Sequence, residues 1–129
     1  MSQYKELIDA AAGLASDKLE EVIRDGVAKM RASSKDLKEP WQKSVVFILA
    51  ISLEREGIKG LEKAERCLKN LLHGKTANLS DLPLLARSEA LMMMQKTEAA
   101  ERSAAAAYIS VAGNLISGIL TASIKGLVL

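Results

Sequence analysis

The chain has 129 residues, 26% of them charged and 49% apolar, enough apolar surface to build a core and too much for a disordered chain. Aromatics make up 3% and there are two prolines, a composition that excludes a sandwich or barrel of many short, turn-punctuated strands. A formal charge of +2 does not by itself mark a nucleic-acid binder, and Cys67, the single cysteine, excludes an intramolecular disulfide.

The expected fold is therefore all-α, one domain over residues 1–129. It is a bundle of about four helices at 2–32, 40–56, 58–73 and 81–127. In the first, Tyr4, Leu7, Ile8, Ala11, Leu14, Leu19, Val22, Ile23, Val27 and Met30 recur at steps that keep one helical face apolar. Lys5, Glu6, Asp9, Asp17, Lys18, Glu21, Asp25 and Lys29 take the other, as a water-facing side should. Gly13 and Gly26, each costly inside a helix, mark either a break or a close crossing. The N-terminus lacks the basic and apolar regions of a signal peptide, so the expected location is cytoplasmic.

Residues 32–39 are polar and aperiodic, and Pro40 suits the first turn of the next helix, where a missing N–H costs nothing. From Val45 to Ile51 every residue is apolar, which predicts a central core helix, a short buried strand being the alternative. The run is too short to cross a bilayer. Gly57 is placed to end it and to start a hairpin with the third helix. That helix turns Ile58, Leu61, Ala64, Cys67, Leu68, Leu71 and Leu72 inward. After a loop at 73–79, Ser80 or Asp81 can cap a last helix with Pro83 in its first turn, and no comparable breaker follows.

The last helix divides in two. Its first part carries Arg87, Glu89, Lys96, Glu98, Glu101 and Arg102 and has Leu84, Leu85, Leu91, Met92 and Met94 to offer the core. The 22 residues from Ser103 to Ile124 hold no charge, and Lys125 is the only charge in the final 27 positions. One broad face is large and apolar: Tyr108, Ile109, Val111, Leu115, Ile116, Ile119 and Leu120. Opposite it run Ser110, Gly113, Asn114, Ser117, Gly118 and Thr121, small residues at helical spacing that let two backbones approach closely. Neither side resembles the charged face of the first helix, so both are expected to be covered, by the protein's own helices, by another chain or by lipid.

The sequence carries no recognisable catalytic or metal-binding constellation. His73 is the only histidine and has no Glu three residues before it, as a bundle metal site would need. It sits off the helical face of Cys67, which leaves that thiol without a base and reads it as a core residue. No phosphate-binding glycine loop occurs. Lys59, Lys63, Arg66 and His73 form a basic strip suited to an anion, with Glu62 and Glu65 interleaved. Met92 to Met94 supply adaptable apolar surface best read as core filling.

The function expected from these features is a non-enzymatic helical assembly or adaptor protein with no cofactor and no metal. Its interface would be Ser110, Gly113, Asn114, Ser117, Gly118 and Thr121 for close approach, with Ile109, Leu115, Ile116, Ile119 and Leu120 for buried area. The partner would be a second copy or another helical protein, joined through the helix segment 103–129. A membrane-associated protein inserting residues 103–124 is the alternative, and nucleic acid on the basic strip is the least supported partner.

Overall fold

The computed structural model describes residues 4–128; Ser2 and Gln3 of the expected first helix and Leu129 of the C-terminal segment lie outside the described residues. Among the described residues all regular structure is helical, in five α-helices rather than about four.

The expected first helix is two. α1, Lys5–Ala12, ends at Gly13, and Ala15 takes an extended conformation before α2, Ser16–Ser34. The two glycines thus serve different ends. Gly13 stands at the break, whereas Gly26 is buried in α2, and a Cβ built there would lie 2.5 Å from Leu120 Cδ2. The serines that close α2 bond back to it: Ser33 Oγ donates to the Lys29 carbonyl at 3.0 Å and Ser34 Oγ to that of Arg31 at 2.8 Å.

α3, Pro40–Leu72, begins with Pro40 in its first turn, and the Glu39 amide donates to Gln42 Oε1 at 3.2 Å. It is bent at Gly57, whose φ of 75° and ψ of −161° are essentially confined to glycine. The first arm, 40–56, buries Val45, Val46, Ile48, Leu49, Ala50, Ile51 and Leu53, so the all-round apolar run is the centre of the molecule. Ser52, buried among them, satisfies its hydroxyl on the Ile48 carbonyl at 2.7 Å. The second arm, 58–72, folds so tightly onto the end of the first that a Cβ at Gly60 would sit 2.8 Å from the Ser52 carbonyl oxygen and collide with Glu56 Cβ.

A 3-10 turn at Leu79–Asp81, with Asn78 Oδ1 accepting the Ser80 amide at 3.1 Å, leads to the buried Leu82. The expected long last helix is also two: α4, Leu84–Lys96, and α5, Ala99–Val128. Thr97 is extended, its hydroxyl donating to the Met93 carbonyl at 2.8 Å. The Glu98 amide is taken by Glu101 Oε1 at 3.2 Å, and the Arg102 guanidinium donates to the Met94 carbonyl at 2.9 Å. A helix start and a helix end are thus satisfied side by side.

α3 is the hub, packed against α2, α4 and α5, while α1 and α2 also pack on α5. Polar ties fix the ends. Tyr4 donates its hydroxyl to the buried Glu65, which also receives Lys69 Nζ at 2.8 Å. Arg31 pairs with Glu54 at 3.1 Å, and Ser44 Oγ donates to Glu89 at 2.8 Å.

Three glycine substitutions separate these roles in urea unfolding. Gly60→Ala is expected to cost about 2–3 kcal/mol through forced overpacking. Gly57→Ala is expected to cost about 1–3 kcal/mol through backbone strain. Gly13→Ala, in a helical conformation with only the Ala10 carbonyl near at 3.7 Å, is expected to gain a few tenths of a kcal/mol. Equal midpoints for all three would contradict the bend.

Candidate interaction surface

α5 is enclosed on three sides by α1, α2 and α3, and its sequence decides which positions they take. Ala105, Ala106, Ile109, Ala112, Gly113, Ile116, Ser117, Leu120, Thr121 and Ile124 are buried. Ser110 and Ile119 are half-buried, and Asn114, Leu115 and Gly118 are exposed. Burial therefore cuts across the division into a large face and a small stripe. The bundle takes one flank of each, so the Gly113, Ser117 and Thr121 edge is covered within the single chain. Ser117 and Thr121 lie beside Glu6 of α1, and Leu120 meets α2 at Gly26.

The side left open runs through Ala104, Ala107, Val111, Asn114, Leu115, Gly118 and Ala122 to Lys125. Val111 is 52% exposed and Leu115 60%, and nothing lies within 4 Å of a Cβ built at Gly118. Down to Lys125 no α5 residue on this surface is charged, and Glu6 of α1 borders it near Asn114, Gly118 and Ala122. Leu115 also edges an apolar cleft of about 300 Å³ between α2 and α5, with Met30, Leu37, Tyr108, Ile116 and Ile119 around it.

α4 departs most from the expected core. It presents Ala86, Ala90, Met93 and, just past its end, Thr97 inward and turns Leu84, Leu85, Leu91 and Met92 to solvent, Leu84 at 73% exposure. Of the three methionines, Met93 alone is buried. Size explains the inversion, because a strip of alanines lets α4 lie close against α3, as leucines there would not. The signal available in the sequence was the pair Ala86 and Ala90 at four-residue spacing.

The basic strip is where its pattern puts it. Lys59, Lys63, Arg66 and His73 are all exposed along the second arm of α3. Of the interleaved acids, Glu65 is turned inward onto Tyr4 and Lys69, and Glu62 is half-buried. His73 closes the helix, its amide donating to the Lys69 carbonyl at 3.0 Å. The Cys67 thiol is buried and donates to the Asn78 carbonyl at 3.5 Å; burial first, and then the charge of Asp81, pushes its pKa up, away from a reactive thiolate. Among the described residues no group of His, Cys, Asp and Glu is arranged to hold a metal ion.

Lys125 ends the uncharged surface in an ion pair with Glu6 of α1 at 2.9 Å. The hydrogen bond from Lys125, and secondarily its charge, lowers the Glu6 pKa below the ordinary glutamate value. A folded-state pKa below the unfolded one makes the pair's contribution present above the unfolded value and lost as pH falls through the folded one. Both partners are exposed, so the contribution is small. Carboxyl-resolved NMR titration should place the Glu6 midpoint below that of an unpaired glutamate, and Lys125→Met should return it to the ordinary value; identical curves would show the tie to be absent in solution.

No protein-family model, curated protein or solved structure matches this chain.

Proposed function

We propose that the protein is a non-enzymatic helical assembly or adaptor protein that joins a second copy, or another helical protein, through the open side of α5. The observation that carries this reading is the exposed course from Ala104 to Ala122, which keeps Val111 and Leu115 in water on a helix side with no charged residue of its own before Lys125. The solvent face of α2, by contrast, is strewn with Lys, Glu and Asp. An exposed apolar strip costs roughly 25 cal/mol for each Å² left wet, and a covering helix recovers that energy. Ala107, Gly118 and Ala122 leave room for such a helix to come close.

A second reading has its own observation. Ala99–Leu127 reaches a mean hydropathy of 1.5 and is long enough to cross a bilayer. Against it, 44% of that apolar window is buried inside the bundle, and insertion would strip it from α1, α2 and α3.

Gly118→Leu is the decisive variant, since its site is open and the single chain can hold the added side chain without moving. Light scattering is expected to give the wild type a mass that is a multiple of 13.9 kDa, and the variant a dissociation constant raised about tenfold or more. A wild type that stays at 13.9 kDa at high concentration, with no helical partner retained, would sink the assembly reading. Flotation of the intact protein with liposomes would favour the membrane instead.

A further inference from the structure

The first turn of α3, the last turns of α4 and the start of α5 enclose a cleft of about 490 Å³. Trp41, Phe47, Met92 and Met93 supply its apolar lining, and Lys43, Lys96, Glu89 and Glu101 its charged groups. Trp41 is held by an edge-on contact with Tyr108 of α5, ring centroids 5.8 Å apart. The volume and the mixture of an apolar lining with a few polar groups are those of small-molecule sites. A flat indole and flexible thioethers accept an alkyl chain readily.

The four charges are not equivalent. Glu89 accepts the Ser44 hydroxyl at 2.8 Å, and Glu101 accepts the Glu98 amide at 3.2 Å, so both carboxylates already serve the fold. Among the described residues the Lys43 and Lys96 ammonium groups have no hydrogen-bond or ion-pair partner. The lining is formally balanced, two ammonium groups against two carboxylates, but only the ammonium groups are left without a partner to bind.

We propose that the cleft binds an amphipathic anion, a small molecule whose apolar chain lies against Trp41, Phe47 and Met92 and whose carboxylate, or a comparable anionic end, meets Lys43 and Lys96. The site is separate from the open side of α5, and its occupancy does not depend on assembly.

Trp41 is the chain's only tryptophan, so its emission reads the cleft in the intact protein. Titration with decanoate below its micelle concentration is expected to change that emission saturably, and decanoate brominated at its tail to quench it. Lys43→Gln combined with Lys96→Gln, both at exposed positions, is expected to weaken decanoate about tenfold while decan-1-ol binds both proteins alike, with circular dichroism showing the helices intact. The brominated ligand tests the contact with no substitution at all. A linear response without saturation, or equal decanoate affinity in both proteins, overturns the proposal. So does decyltrimethylammonium binding as tightly as decanoate, or a response confined to anionic vesicles, which would make the ligand a membrane surface and not a free molecule.

Discussion

Gly57 holds a backbone geometry closed to residues with side chains, and the course of the chain on either side depends on it. Without that bend the arms of α3 would continue as one rod. With it, the second arm comes back against the last turn of the first, and Gly60 is the residue that makes the contact sterically possible. Glu65 is thereby brought to Tyr4, which ties the start of the chain to the far arm of its hub helix. The same fold-back places Cys67 and Leu82 inside, so the 3-10 turn and the entry to α4 are set by the bend as well.

Around this hub, helices meet through small residues. Gly26 admits Leu120, Ala86 and Ala90 lay α4 on α3, and Gly113, Ser117 and Thr121 are covered within the chain. Close approach increases dispersion contact along the backbones, but it leaves less inward surface for large side chains. In α4 the displaced residues are Leu84, Leu85, Leu91 and Met92, and in α5 they are Val111 and Leu115. Exposed apolar surface on these two helices is thus the counterpart of tight packing inside, where Ala86, Ala90, Ala105, Ala106 and Ala112 are buried.

Much of the fold is legible in the sequence because it follows from periodicity. The all-helical class, the central 45–51 run, the connector before Pro40 and the inward side of 58–72 all do. The breaks are harder because they rest on local polar exchanges. The end of α1 has only Gly13 to mark it, and the gap between α4 and α5 is made by Thr97, Glu98, Glu101 and Arg102 satisfying neighbouring backbone groups. Orientation is harder still. Hydrophobicity alone points Leu84, Leu85, Leu91 and Met92 inward, and only the competing fit of Ala86 and Ala90 turns them out. On α5 an uncharged sequence offers no contrast between wet and dry faces, so the exposure of Asn114, Leu115 and Gly118, against the burial of Gly113, Ser117 and Thr121, is set only by where the surrounding helices lie.

The same placement bears on whether α5 would rather meet protein or lipid. A bilayer would have to surround the helix, which means stripping α1, α2 and α3 from Ile109, Ile116, Leu120 and Ile124 and opening the apolar faces of those helices in turn. Buried side chains of this size each contribute about 1.5–3 kcal/mol, so several such losses are comparable to the whole stability of an ordinary domain. Lipid would return the contacts of α5 but not those of the helices left behind in water. A partner helix laid along Val111, Leu115 and Gly118 asks for none of this, since it covers only what the bundle leaves open. That asymmetry favours association with the fold intact.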